Sequence, residues 1–262
     1  MSGRPKLVPL PPAGGDDADG TARFAPVTPL RAYEYVAEQI QRHIKLHLAA
    51  PGQSLPTERE LVEQFEVGRP TIQMALRLLE AEGLVETRRG RNGGTFVLGP
   101  GDGDDARLEL IGRMLRRRDE IEDLLVFRRA VEPQIASVAA RRRTDADLAR
   151  LRTAVEELDR AEGEVVRMRF DTELHLALGA ATGNRFLARD AEEIRRGLND
   201  VIALLPESGA WHRRVAVEHH ALLDAVVAGD EAAAAGVMET HTEHSRQAVR
   251  AVLTAIDRRE DI

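Results

Sequence analysis

Apolar residues recur at helical spacing along most of the chain, and breaks in that pattern divide it into segments. The first periodic segment is RAYEYVAEQIQRHIKLHLAA, residues 31–50. It places Tyr35, Ile40, Ile44 and Leu48 near one face, which predicts an amphipathic helix. The PGQSLP that follows ends the pattern, because proline and glycine interrupt regular helices.

Two shorter helical segments come next. TERELVEQFEVG opens with Thr57 and Glu60 at capping-box spacing and ends at Gly68. RPTIQMALRLLEAEG carries Pro70 where it suits a first helical turn, and Gly83 is a natural stop. Its apolar stripe comprises Ile72, Leu76 and Leu79. The short gap between the two segments predicts a helix–turn–helix pair.

The stretch VETRRGRNGGTFVLG, residues 85–99, has short apolar runs on either side of a glycine-rich turn. It predicts a two-stranded hairpin with Arg88, Arg89 and Arg91 around its tip. Three helices followed by such a hairpin form the pattern of a winged helix-turn-helix. Cations held out on a hairpin indicate a polyanionic partner, although the same arginines without the helices before them would be read as solvated surface.

The rest of the chain shows helical periodicity and no strand pattern. Its composition makes residues 99–106 a linker, and the Pro- and Gly-rich residues 1–28 predict a disordered tail. We therefore expect a mainly α protein, with a winged helix-turn-helix over 29–98 and an all-helical antiparallel bundle over 107–256. The helices predicted in the bundle span 107–118, 119–142, 145–161, 163–182, 184–205, 209–228 and 230–256.

Composition narrows the class of protein. The first hundred residues carry equal numbers of acidic and basic side chains, so the net charge of −7 lies in residues 101–262 and confines any nucleic-acid site to the N-terminal third. The absence of cysteine excludes disulfides and thiolate chemistry and suits a reducing compartment. Neither a signal peptide nor an apolar run of about 20 residues is evident, which predicts a cytoplasmic protein with no membrane partner.

The third predicted helix carries candidate DNA-reading side chains in its first turn. A recognition helix enters the major groove N-terminus first, so the base-reading groups lie there. Arg69 suits the two acceptors of guanine, and Gln73 suits adenine. The Thr71 hydroxyl and the helix-terminal amides suit phosphate oxygens.

The stretch LPTERELVEQFEVGRPTIQMALRLLEAEGLVETRRGRNGGTFV resembles the DNA-binding domain of the GntR superfamily of bacterial transcription regulators. The resemblance implies that Arg59 reaches the DNA backbone or a base, and that Arg89 and Gly90 reach the minor groove or its phosphates. Two residues depart from the family pattern: Gly68 stands where Ser or Thr is usual, and Gln73 where Arg is usual. The operator preference is therefore expected to differ from that of close relatives.

Histidines are concentrated in the C-terminal part. Asp171 and His175 are four residues apart and share a helix face, and four more histidines follow at His219, His220, His241 and His244. One carboxylate with three imidazoles would suit zinc, nickel, iron or manganese. Each histidine by itself is more often a polar core residue or a surface group than a metal ligand.

The order of these residues resembles the FCD ligand domain of the same superfamily, over about 107–255. The resemblance implies that a divalent metal, zinc foremost and nickel or manganese as alternatives, is held by four residues: Asp171, His175, His219 and His241. It leaves His220 and His244 outside the set. It also implies that Arg128 faces the pocket and binds a carboxylate effector, unless Arg128 instead pairs with an acid on its own helix.

We therefore expect a homodimeric repressor that binds double-stranded DNA at an inverted repeat and is controlled by a small organic acid. Two alternatives stay open. One is a metalloregulator, for which the ion itself is the signal. The other is a metal-dependent hydrolase, against which stands the absence of HExxH, a nucleophile elbow, a phosphate loop and an evident general base. The chain is accordingly expected not to be an enzyme.

Overall fold

The computed structural model describes residues 31–49, 51–90, 93–98, 111–112, 114–202, 205 and 208–260, with side chains up to 255. The predicted tail 1–28 and linker 99–106 lie outside these residues, as do residues 107–110 and 113 of the helix predicted over 107–118; residues 111–112 and 114–116 of that helix are helical. No helix in the described part of the chain is long and apolar enough to cross a membrane.

The N-terminal helices lie where the pattern predicted them. They are α1 (Ala32–Lys45), α2 (Glu58–Phe65) and α3 (Arg69–Ala81). The Thr57 hydroxyl accepts from the Glu60 amide and the Glu60 carboxylate accepts from the Thr57 amide, which confirms the capping box. The three helices share one apolar core, into which α3 contributes its predicted stripe of Ile72, Leu76 and Leu79.

The face predicted for α1 is wrong at Tyr35, and Leu48 lies beyond the end of the helix. Tyr35 is 52% exposed, whereas Val36, Ala37 and Ile40 are buried. Tyr35 and Ile40 are five residues apart, which is about 140° around an α-helix, so they cannot share a narrow face. The three buried residues at spacings of one, three and four form the stripe that packs on the core.

The hairpin follows α3 as predicted, with β1 (Val85–Arg88) antiparallel to β2 (Gly94–Val97). Val85 pairs with Val97 and both are buried, so the base of the hairpin is fixed on the helical core. At the tip, Gly90 has a φ of +114°, a conformation that side chains other than glycine rarely adopt. Arg91, predicted to lie at this tip, is outside the described residues.

The described residues between 114 and 260 are helical apart from short connections. The helices are α4 (Arg118–Arg142), α5 (Asp145–Arg160), α6 (Glu164–Ala181), α7 (Arg185–Ile202), α8 (Gly209–Ala228) and α9 (Glu231–Glu260). α4 packs against α6, α7, α8 and α9 and so lies at the centre of the bundle. The mainly α architecture with a small antiparallel sheet is confirmed. The bounds of these six helices agree with their predictions to within four residues.

Candidate functional site

The first turn of α3 is accessible. Arg69 is 72% exposed at its side chain, and Thr71 and Gln73 are half-buried. Gly68 precedes the helix in an extended conformation and provides no side-chain cap, so the first amides of α3 have no side-chain acceptor from that residue. Exposed amides and donors at a helix N-terminus are groups that phosphates and base edges accept from.

A single carboxylate engages both candidate base-reading side chains. Arg69 Nε donates to Glu58 Oε2 over 2.9 Å, and Gln73 Nε2 donates to the same oxygen over 3.1 Å. The hydrogen bond from Arg69 lowers the pKa of Glu58, so that this carboxylate stays ionised. Glu58 thereby orients Arg69 and Gln73 side by side at the end of α3.

The other residues predicted to reach DNA are also accessible. Arg59 on α2 and Arg89 and Gly90 on the hairpin are exposed. The side chain of Arg88 makes its contacts within the hairpin. It pairs with Glu86, and its guanidinium lies 4.7 Å from the centre of the Phe96 ring. Of the described hairpin arginines, Arg89 is therefore the one whose side chain shows no such internal contact.

Three of the predicted metal ligands meet in the helical bundle. His175 from α6, His219 from α8 and His241 from α9 are all buried, and a ligand nitrogen from each lies within 4.8 Å of the others. Their ring centres are 4.9 to 6.0 Å apart. The sequence places them 44 and 22 residues apart, and the packing of α6, α8 and α9 brings them together.

Two carboxylates fix the orientation of this histidine cluster. His175 Nδ1 lies 3.1 Å from Glu132 Oε1, and His241 Nδ1 lies 2.9 Å from Glu218 Oε2. A carboxylate on Nδ1 sets the tautomer and leaves Nε2 free to act as a ligand. Within the described residues, Nε2 of both His175 and His219 is buried without a hydrogen-bond partner.

Electrostatics keep two of these imidazoles neutral. Burial lowers the pKa of His219 well below its usual range, and the neighbouring His241 lowers it further. Burial also lowers the pKa of His175, although Glu132 opposes the shift. Neutral imidazoles with unused buried lone pairs are the state that a metal requires.

Asp171, the fourth predicted ligand, touches the cluster from one side. Its Oδ1 lies 3.4 Å from His219 Nε2, and its Oδ2 accepts a hydrogen bond from Arg195. Burial raises the pKa of Asp171, but Arg195 and the three histidines outweigh burial, and the pKa lies below its usual range. One oxygen of an ionised carboxylate thus faces the histidines, while the other is held by a guanidinium.

Arg128 pairs with an acid of its own helix and also lines a cavity. It is 1% exposed, and its Nε donates to Glu132 Oε2 over 2.7 Å, which is the pairing with an acid of its own helix. Its Nη1 is buried with no partner among the described residues, and the side chain lines a cavity. The ion pair therefore holds Arg128 in place and leaves one donor unused.

The cavity has a volume of about 250 Å³ and lies directly beside the histidines. His219, His241, Asp171, Arg128 and Arg195 all contribute to its wall. A further part of the wall is apolar and comprises Leu158, Met168, Ile202, Leu205 and Trp211. A concave space that combines convergent charged groups with an apolar part of the wall is typical of a small-molecule site.

The donor set fits a divalent transition metal. Buried Nε2 atoms without partners, carboxylates on the opposite ring nitrogens and an adjacent ionised carboxylate are the features of imidazole–carboxylate centres. His175, His219 and His241 would hold such an ion, with Asp171 as a further ligand. This donor set alone does not discriminate zinc from nickel or manganese.

Sequence reasoning missed three residues of this site: Glu132, Arg195 and Glu218. Glu132 is four residues after Arg128, a spacing that could have indicated the pair. Arg195 is fully buried among the apolar residues of α7, and its position beside Ile194 on the buried stripe was the available signal. His220 is exposed and pairs with Asp159, whereas His244 Nδ1 contacts Glu218 at 2.6 Å and thus lies behind His241.

A winged helix-turn-helix with an accessible first turn, followed by a helical bundle, defines a DNA-binding transcription regulator. The pattern of bacterial regulatory proteins of the gntR family matches residues 32–97, and that of the FCD domain matches residues 123–244. The chain therefore belongs to the GntR family, with an FCD domain as its second part. Both matches fall inside the ranges 29–98 and 107–256, whose ends stay predictions.

Curated relatives that align with most of the chain are transcription regulators as well. The HTH-type transcriptional regulator LutR of Bacillus subtilis is 31% identical over 198 residues, 73% of this chain and 89% of that protein. Mce2R of Mycobacterium tuberculosis is 28% identical over 236 residues, 88% and 96% of the two chains. A solved GntR structure from Streptococcus agalactiae is 26% identical, covers 82% of this chain and 99% of that one, and has a TM-score of 0.45. The relatives are regulators and not enzymes, which rules out the hydrolase alternative.

Proposed function

We propose that this regulator is a homodimeric repressor that binds an inverted-repeat operator and releases it when a carboxylate effector binds beside a metal. The observation that carries the proposal is the cavity, because it combines an oriented histidine cluster with buried arginine donors that have no partner. Two copies of the exposed α3 turn, related by a two-fold axis, would read the two half-sites.

In this proposal each part of the site has one task. His175, His219, His241 and Asp171 hold the metal, which supplies a Lewis-acidic position for one oxygen of the effector. Arg128 donates its unused Nη1 to the same carboxylate, since a guanidinium beside a carboxylate makes strong, directional hydrogen bonds. Arg195 holds Asp171 in its ionised form, and the apolar wall accommodates the rest of the effector.

One helix links the cavity to the DNA-reading part. α7 carries Arg195, which contacts Asp171, and also Glu192, which pairs with Arg42 of α1. A second contact joins α7 to the turn that follows α1, with His47 Nε2 3.5 Å from Asp200 Oδ1. A shift of α7 on effector binding would therefore move α1. A 100-fold loss of DNA affinity requires about 2.7 kcal/mol of coupling.

In the metalloregulator alternative, the cavity binds no ligand besides the metal ion. The unpartnered Arg128 Nη1 and Arg195 Nε favour an effector over the ion alone, because a buried donor without an acceptor costs free energy that a bound acceptor would recover. Measuring DNA affinity with the metal varied at a fixed carboxylate concentration, and then the reverse, separates the two. Release by metal alone would favour the ion as the signal.

The experiment that tests DNA recognition is a mobility-shift titration and footprint on the promoter region of the protein's own gene. We expect protection of an inverted repeat, with two protected half-sites about one helical turn of DNA apart. Absence of protection of any inverted repeat, there or in a genome-wide selection, would contradict the proposal.

Replacing Arg69 with alanine is expected to weaken operator binding by about 1–3 kcal/mol and to relax the preference at one base position of each half-site. The physical reason is the loss of paired donors to a base edge. Fluorescence anisotropy on the operator and on single-base variants measures both effects. Arg152, exposed on α5, provides the control, since Arg152→Ala removes the same charge from the bundle. Equal losses in the two variants would contradict the role of Arg69.

A further inference from the structure

Another arginine of the cavity wall, Arg167, lies on α6 about one helical turn before Asp171. Arg167 lines the cavity, and its Nε is buried without a hydrogen-bond partner in the described part of the chain. Its spacing of four residues to Asp171, and of four more to His175, places all three on one face of the helix. A rise of 1.5 Å per residue separates Arg167 from Asp171 by about 6 Å along the helix axis.

The environment of Arg167 differs from that of the two fully buried arginines of the cavity wall. Arg128 is paired with Glu132 and Arg195 with Asp171, whereas the described residues show no ion pair for Arg167. Arg169, two positions along the same helix, is exposed and pairs with Glu173 at 2.9 Å. A buried guanidinium nitrogen with no acceptor needs an explanation, because its desolvation is not compensated.

We propose that the effector is a short dicarboxylate, with one carboxylate at Arg128 and the metal cluster and the second on Arg167. This inference rests on the proposed function, and it adds the chemical class of the effector. The separation along α6 suits two carboxylates joined by a few methylene groups, whose carboxyl carbons are about 4–5 Å apart by standard bond lengths. Leu158, Met168 and Trp211 offer apolar contacts for the methylenes, and the 250 Å³ cavity admits a molecule of this size.

The test is isothermal titration calorimetry on the full, zinc-loaded chain with malonate, succinate, glutarate and adipate, together with butyrate and pentanoate. Each monocarboxylate matches a diacid in chain length and lacks one charged end. We expect succinate or glutarate to bind about 10- to 100-fold more tightly than its monocarboxylate partner, because a charge-assisted contact adds about that much affinity.

Two variants distinguish whether Arg167 or the metal is responsible for the preference for the diacid. Arg167→Gln should remove the preference for the diacid and leave butyrate affinity unchanged within about two-fold. Arg169→Gln removes the same charge outside the cavity and should change neither. Retention of the diacid preference in Arg167→Gln would assign it to chelation by the metal and overturn the proposal.

The affinities of the native protein for these acids test the dicarboxylate class without any variant. Equal affinity for butyrate and succinate would overturn the dicarboxylate class while leaving a carboxylate effector intact. Failure of every carboxylate to bind would instead contradict the proposed function itself, and the dicarboxylate with it. The two failures are therefore distinguishable in the same titration series.

Discussion

Replacing Glu132 with alanine is expected to lower the free energy of unfolding by about 3–5 kcal/mol. Glu132 is 2% exposed and accepts from Arg128 with one oxygen while contacting His175 with the other. Burial raises its pKa, but Arg128 and His175 outweigh burial and hold the pKa well below its usual range. Its removal leaves a buried guanidinium without a counter-charge, which is the costly way to break an ion pair.

Urea unfolding of the chelator-treated protein measures this effect, since without metal no binding term is mixed with the stability change. The chain offers a matched control. Arg169 and Glu173 have the same four-residue spacing and nearly the same Nε–O distance, 2.9 Å against 2.7 Å, but their side chains are 44% and 34% exposed. Glu173→Ala is expected to cost about 1 kcal/mol or less. Similar losses in the two variants would show that the buried pair contributes no more than the exposed one.

Replacing His219 with alanine is expected to weaken metal binding by at least about 100-fold, because even residues that only orient a metal ligand contribute about 10- to 100-fold. His219 is buried with its Nε2 unpartnered, adjacent to His241 and Asp171. Metal analysis of the purified variant and a zinc titration followed by thermal unfolding measure the loss. The upward shift in melting temperature that zinc gives the native protein should disappear.

His220 is the control for this substitution, since it is the next residue in the chain, is exposed and pairs with Asp159. His220→Ala should keep both the metal content and the response to zinc. Operator affinity without effector should be unchanged in both variants, because neither residue lies near α3. Full metal occupancy in His219→Ala would exclude this residue as a ligand.

The fold was predictable because each local signal agreed with the others. The capping box at Thr57, Pro70 in the first turn of α3 and the glycine at position 83 fixed the helix–turn–helix before any tertiary contact was considered. Tyr35 shows the limit of this reasoning. The helical pattern placed this side chain on the apolar face with Ile40, although the spacing of five residues excludes the two from one narrow face.

The candidate site was predictable only in part, because it depends on contacts between distant segments. His175, His219 and His241 could be proposed from their order along the chain, and the structure brings them together. The role of Arg195 could not be proposed from the sequence. The pattern of α7 does not show whether a charged residue beside the apolar stripe faces solvent or a buried partner. Its role follows from Asp171, which lies on a different helix.

The most direct test of the whole account is the affinity of the zinc-loaded protein for its operator, measured by anisotropy with and without saturating effector, in the native chain and in His219→Ala and His220→Ala. We predict a drop of about 100-fold in the native protein and in His220→Ala, corresponding to about 2.7 kcal/mol of coupling. In His219→Ala the affinity should stay at the value measured without effector. An operator affinity that does not respond to any carboxylate in the native protein, or responds equally without His219, would contradict control of the DNA-reading helices from this cavity.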